Sequence, residues 1–224
     1  MASDPHGGVS GSPGLAHHFD SYEQQKESAT LGMWLFIVQE ILFFGGLFFA
    51  FALFRWKYPV AFNAGSRHLD VTLGTFNTVV LILSSLTVAM AVRSAQLARP
   101  KRIVGFLLGT AVLGSIFLGV KAYEYHHKWV EHLVPGPNFA FEGPGAENAR
   151  IFFSLYFAMT GLHALHMIVG IAILLFLLRP AWRGRYTPEN HNMIEGFGLY
   201  WHFVDIIWIF LFPLLYLAGR HHNF

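Results

Sequence analysis

Five sets of ionisable side chains lie within or beside long apolar runs, and their spacing defines the chemistry open to the chain. Glu40 stands alone in Phe36-Ile37-Val38-Gln39-Glu40-Ile41-Leu42-Phe43-Phe44, with no base within a helical turn. Its carboxyl is either uncharged or paired with another helix or a lipid head group. A functional role and a structural interhelical hydrogen bond are both open. In Lys121-Ala122-Tyr123-Glu124-Tyr125-His126-His127, Lys121 stands one helical turn before Glu124 and can pair with it. Glu124 and His127 also have the E-x-x-H spacing of di-iron bundles, but such sites need that motif twice plus two more Glu on facing helices. Those are missing, so an interfacial polar cluster is expected. His163 and His166, at i,i+3, share a face and suit either structural hydrogen bonding or a metal or haem ligand, for which only His202 could be a second-helix partner. His202 and Asp205 repeat the spacing. A carboxylate beside an imidazole can hold one tautomer or share a proton, or the two can be a mutually satisfied packing pair. His191 and Glu195, at i,i+4, read as an interfacial cap or pair.

An ionisable residue at membrane depth costs about 2.5–3.5 kcal/mol on insertion scales and marks a functional site by default. Yet the chain has no phosphate-binding glycine motif, no nucleophile elbow and no histidine set large enough for haem plus copper. It contains no Cys, which excludes disulfides, thiolate metal sites and c-type haem attachment. The expectation is a chain with no catalytic residue, no bound cofactor and no metal of its own. His6, His17 and His18 read as part of a solvated tail.

These groups must be positioned by membrane helices. The hydrophobic fraction is 54% and the charged fraction 12%, where a soluble domain carries about a quarter charged residues. Too little polar surface remains to cover such a core in water. About 20 apolar residues cross a bilayer, and five stretches qualify, at about 31–54, 71–92, 103–123, 151–178 and 197–218. The expected fold is all-α: a polytopic membrane bundle of about five spans over residues 29–224, preceded by a polar, flexible tail at 1–28. The breaks carry interfacial Trp, Tyr and basic residues, as in Arg55-Trp56-Lys57-Tyr58-Pro59 and Arg179-Pro180-Ala181-Trp182-Arg183. The longest connection, about 128–150, is the candidate surface for a neighbouring protein. A net charge near +2 gives no reason to expect a nucleic-acid partner. No internal repeat is evident and no cleaved signal peptide is read. Short loops carry the orientation signal. Arg93, Arg99, Lys101 and Arg102, then Arg179, Arg183 and Arg185, place the N-terminus in the cytoplasm.

The last two spans resemble a known family. The run Phe152-Phe153-Ser154-Leu155-Tyr156-Phe157-Ala158-Met159-Thr160-Gly161-Leu162-His163-Ala164-Leu165-His166 is similar to the F-F-x-x-T-G-x-H-x-x-H helix of cytochrome c oxidase subunit III. Tyr200-Trp201-His202-Phe203-Val204-Asp205-Ile206-Ile207-Trp208 resembles that family's Y-W-H-F-V-D-x-x-W signature, with Glu195 matching the Glu shortly before it. Weaker matches lie at Asn77-Thr78 and Tyr123-Glu124-Tyr125. The resemblance implies an accessory, metal-free subunit of a haem–copper terminal oxidase, in the five-helix bacterial form. Catalytic subunit I would hold the haem and copper, reduce oxygen to water and pump protons, with subunits II and IV beside it. The resemblance further implies bound phospholipid, support of proton uptake and stable turnover, and a place in the bacterial inner (cytoplasmic) membrane. Residue by residue, it makes Glu40 the family's carbodiimide-reactive carboxylate and Arg179 a base that meets a lipid phosphate, which an always-charged guanidinium suits. The chain starts at what would be the third span of seven-span members. It has Phe49-Ala50-Phe51-Ala52-Leu53 where the family often shows Trp-Ala-Phe-x-His.

Two other functions fit the same residues. A proton-coupled transporter would use Glu40, Glu124 and Asp205. A related subunit of a quinol oxidase or nitric oxide reductase would share the signature, since donor specificity lies in the other chains.

Overall fold

Lipid offers the backbone no hydrogen-bond partner, so every segment that crosses it must close its bonds within itself. In the computed structural model, which describes residues 21–187, 191–217 and 219, five helices are long and apolar enough to cross a membrane. They are α1 (Tyr22–Lys57), α3 (Val71–Gln96), α4 (Pro100–Val130), α5 (Ala146–Trp182) and α6 (Asn192–Phe212), the last running on into a π-helical stretch at Pro213–Leu217. A short helix, α2 (Pro59–Arg67), lies between the first two spans.

The boundaries follow local chemistry. Ser21 caps α1 by accepting the Gln24 N–H at 3.2 Å. The helix thus begins inside the stretch assigned above to the polar tail, while His6, His17 and His18 lie outside the described residues. Asp70 caps α3, accepting the N–H groups of Thr72 at 2.8 Å and Leu73 at 3.2 Å. Pro59 and Pro100 open α2 and α4 at a position where no intrahelical N–H is required. Pro213 has no N–H to continue α6, and the chain widens into the π-helical stretch there.

α6 is the central helix. Over half of its most apolar window, 56%, is buried, against 17% for α1. α3 packs on both α4 and α6, and α5 on α4 and α6, whereas α1 meets chiefly α2, α5 and α6. Apolar contact gains little over lipid in this setting, so packing shape and interhelical hydrogen bonds decide the arrangement. Two indoles spaced two turns apart on α6 supply them. Trp201 Nε1 donates to Ser84 Oγ at 3.0 Å, and Trp208 Nε1 to Thr78 Oγ1 at 3.1 Å, both on α3. Thr87 and Thr110 hydroxyls join α3 to α4 at 2.8 Å. The Tyr200 hydroxyl donates to the His166 carbonyl at 2.8 Å, joining α6 to α5. Between these bonds lies an aromatic core: Phe117 stands edge-on to Trp208 at 4.8 Å, and Phe51, Phe62 and Phe152 close the contact of α1, α2 and α5.

Two glycines with left-handed backbone separate conformational strain from close approach. Gly145 precedes α5 at φ +77°, and a Cβ there would lie 2.7 Å from the Ala61 backbone of α2. Gly184 follows α5 at φ +64° in open space. Gly184→Ala should therefore cost about 1–2 kcal/mol, the left-handed penalty alone. Gly145→Ala should cost about 1–3 kcal/mol more, because α2 must shift. Thermal unfolding in detergent measures both; equal losses would remove the close-approach explanation.

Candidate functional site

The polar groups fall into two clusters at different depths. The first joins α1 to α5. Glu40 Oε2 lies 3.3 Å from His166 Nε2, an ion-pair distance without an aligned hydrogen bond. His166 Nδ1 lies 2.9 Å from the Leu162 carbonyl, which can only accept, so Nδ1 carries a hydrogen. Nε2 is then the ring atom that faces Glu40, where it can accept a hydrogen from a carboxylic acid or donate one to a carboxylate. Phe44 covers the imidazole at 5.6 Å, and Tyr200, which bonds the His166 carbonyl, packs on Phe36 of α1 at 5.8 Å. Glu40 thus finds across the bundle the base that its own helix lacks.

The second cluster lies toward the other end of α4. Glu124 Oε2 accepts from Lys121 Nζ at 2.9 Å. Its Oε1 accepts from the hydroxyls of Tyr156 on α5 at 2.9 Å and of Tyr216 in the π-helical stretch at 2.6 Å. Lys121 Nζ also approaches both hydroxyl oxygens, at 3.2 and 3.0 Å, and lies over the faces of Tyr125 and Trp208 at 5.3 Å. Both charged residues are 3% exposed. Beside it, Tyr125 and Thr160 share a hydroxyl hydrogen bond of 2.6 Å. Glu124 also borders a small cavity of about 150 Å³ shared with His68, Asp70, His127, Lys128 and Glu131. There His127 and Lys128 pair with Glu131 at 3.2 and 2.6 Å.

Several expected pairings resolve differently. His163 and His166 do not serve one face. His163 is 1% exposed, turned between Phe117 and Trp208 at 5.4 and 5.1 Å, with neither ring nitrogen hydrogen-bonded. A spacing of three is about 60° short of a full turn, enough to send the two rings to different neighbours. His202 and Asp205 are not mutually satisfied. His202 Nδ1 meets Ser85 Oγ at 2.6 Å, and Asp205 faces the same hydroxyl without a well-aligned hydrogen bond. His127 leaves Glu124 for Glu131. His191 Nε2 does meet Glu195 Oε1 at 2.9 Å, and Gln96 on α3 donates to the same oxygen at 3.2 Å. Arg179 is exposed at the end of α5. Among the described residues, no three His, Asp or Glu side chains converge to hold a metal ion. Sequence spacing missed Tyr156, Tyr216 and Ser85. Their one available signal was a hydroxyl in an apolar run, which needs a partner when buried.

Outside the spans, Glu131 titrates in a defined way. Burial opposes its ionisation, but the Lys128 hydrogen bond and the charges of Lys128, His127 and His68 outweigh that and hold its carboxyl below the usual range. A depressed carboxylate contributes stability above its unfolded pKa, and that contribution is lost as pH falls through the folded value. The thermal stability of the native chain over Glu131→Gln should therefore be present above about pH 4.3 and fade below it. A difference independent of pH would assign the effect to packing. Within the bundle, Lys121→Met leaves Glu124 buried without its counter-charge and should cost about 3–5 kcal/mol. Lys121→Met combined with Glu124→Gln should recover part of that loss in the same melting assay.

The chain is similar to known proteins over nearly all its length. Residues 16–220 match the family model described as cytochrome c oxidase subunit III. Cytochrome c oxidase subunit 3 of Thermostichus vulcanus is 31% identical over 213 residues, covering 93% of this chain and 96% of the relative. Cytochrome bo(3) ubiquinol oxidase subunit 3 of Pseudomonas aeruginosa is 26% identical over 205 residues, covering 92% of each. The haem–copper oxidase subunit I+III of Aeropyrum pernix is 30% identical over 213 residues, covering 92% of this chain and 24% of that longer protein.

Proposed function

This chain belongs to the cytochrome c oxidase subunit III family of the haem–copper oxidases, and from that premise we propose that it is the metal-free accessory subunit of such an oxidase. The observation that carries the proposal is the coverage of the match: it takes in every described span, including the central Tyr200–Asp205 segment of α6. In this proposal the chain lies in a bacterial cytoplasmic membrane with its N-terminus inside. It docks on catalytic subunit I, which holds the haem and copper and reduces oxygen; a relative in which subunits I and III are one polypeptide supports that neighbour. Subunits II and IV complete the complex.

The residues of this chain bind and hold; they do not react with oxygen. Glu40 and His166, 3.3 Å apart at membrane depth, form a site that can face the polar part of a phospholipid without an isolated charge in lipid. Arg179 offers an exposed guanidinium at the end of α5 to a lipid phosphate. Glu124, His163, His191, Glu195, His202 and Asp205 serve packing. Similarity to a ubiquinol oxidase subunit favours a second reading within the same family, with quinol as the donor. Donor choice then rests with the other chains.

An affinity-tagged chain purified from its own membrane should bring with it a haem-containing, oxygen-consuming partner. Stoichiometric haem or copper on the isolated chain would overturn the proposal. Within the complex, Glu40→Ala should leave assembly intact but lower retained phospholipid or shorten the number of turnovers before inactivation. Unchanged lipid content and lifetime would remove that role from Glu40.

A further inference from the structure

Where α1 and α6 begin and α5 ends, the three helices do not close on one another, and a cavity of about 400 Å³ remains between them. That volume falls in the range of small-molecule sites, roughly 300–1,000 Å³. Phe176 of α5 and Phe197 of α6 give it aromatic walls. Met33 and Met193 add side chains that adapt to a guest. Phe176 is 64% exposed and Met193 56%, so the cavity has a mouth on the outer surface of the bundle, facing lipid.

Its polar lining is selective in charge. Among the described residues no Lys, Arg or His lines it, and its one carboxylate is Glu195. That carboxylate is held in place: His191 Nε2 at 2.9 Å and Gln96 Nε2 at 3.2 Å both meet Oε1. Oε2 makes no bond among the described residues. An ionised carboxylate can only accept hydrogen bonds. The Tyr200 hydroxyl is spent on the His166 carbonyl at 2.8 Å, so Tyr200 brings its ring to the cavity and not a free donor. A guest that suits this lining comes from the membrane, presents a flat apolar face to the aromatic walls, donates a hydrogen bond to Glu195 and carries no phosphate, because a carboxylate without a base beside it repels an anion. A quinol meets all four conditions. It is a flat ring with a hydroxyl at each end and a hydrocarbon tail that can leave through the mouth.

We propose that this cavity holds the head of an isoprenoid quinol, with one hydroxyl donating to Glu195, the ring against Phe176 and Phe197, and the tail in lipid. The site binds and does not oxidise: no electron or proton leaves the quinol here. A quinone carbonyl only accepts, so the carboxylate favours the reduced form over the oxidised one. The cavity thus stores reductant at the membrane border, apart from the lipid contacts assigned to Glu40 and Arg179. The inference rests on the cavity and not on the donor or the catalytic partner of the oxidase.

A photoreactive benzoquinone with a short isoprenoid tail tests this, added reduced or oxidised to the purified complex, with adducts mapped by mass spectrometry to peptides of this chain. Label on residues 25–33 and 192–200 should be about tenfold heavier with the reduced form, the effect of one hydrogen bond to a charged acceptor. Glu195→Gln should bring the two forms within about twofold of each other, because an amide both donates and accepts. Ala29→Phe, which fills the cavity from the α1 wall, should remove the label of both forms. Ala29 is exposed, so this variant tests the site even if Glu195→Gln weakens the start of α6. Ser115→Ala, exposed on α4 and outside the cavity, should change nothing. Equal labelling by both forms, unmoved by Glu195→Gln, would overturn the quinol assignment. Undiminished label in Ala29→Phe would overturn the cavity as its place. Loss of label to excess phosphatidylethanolamine but not to excess unlabelled quinol would reassign the cavity to a phospholipid. Because the readout is an adduct on this chain and not oxygen consumption, failure here leaves the oxidase proposal standing, and the reverse.

Discussion

A carboxylate and an ammonium sealed from water must find every partner they need inside the bundle, and the Lys121–Glu124 pair does so with a geometry that fixes three segments at once. Glu124 uses both oxygens, one toward Lys121 on its own helix and one toward two tyrosine hydroxyls. Those hydroxyls come from α5 and from the π-helical stretch after α6. The carboxylate therefore sets the distance of both segments from α4. Coulomb attraction at this depth is strong but does not by itself repay the loss of hydration. The added hydrogen bonds and the ring faces of Tyr125 and Trp208 around the ammonium are what make the buried charge tolerable.

The same rule explains the rest of the framework at lower stakes. Trp201 and Trp208 are both fully buried, and each indole N–H ends on a small hydroxyl of α3. A serine or threonine in that role serves a partner helix while its own hydroxyl hydrogen returns to its helix, as with Ser84 and Leu81 or Thr78 and Gly74. α6 becomes the axis of the bundle because it carries these donors in line. α1 meets its neighbours through Phe44, Phe51 and the Glu40–His166 pair.

The five spans were legible in the sequence because length and hydropathy alone determine them. The termini were less so: α1 starts at Tyr22 and α4 continues through Val130, since polar helical turns extend beyond the hydrocarbon where hydropathy no longer marks them. Short α2 was missed because nine residues carry no span-length signal. Among polar groups, pairs local in sequence were readable, as Lys121–Glu124 and His191–Glu195 show. Pairs across helices were not. Nothing near Glu40 points to His166, and nothing near His202 points to Ser85. Spacing names which side chains share a helix; the rotation of each helix in the bundle chooses their partners.

The pairing of the first span with the fifth helix has a consequence for biogenesis. The ribosome delivers Glu40 to the membrane well over a hundred residues before His166 exists. At roughly 5–20 residues per second, α1 waits on the order of ten seconds with its carboxyl unmatched by any later part of the chain. During that interval a proton, a lipid or the insertion machinery has to stand in for the imidazole. α1 is thus made before each of α2, α5 and α6, the helices it packs against, and among the last to find its place.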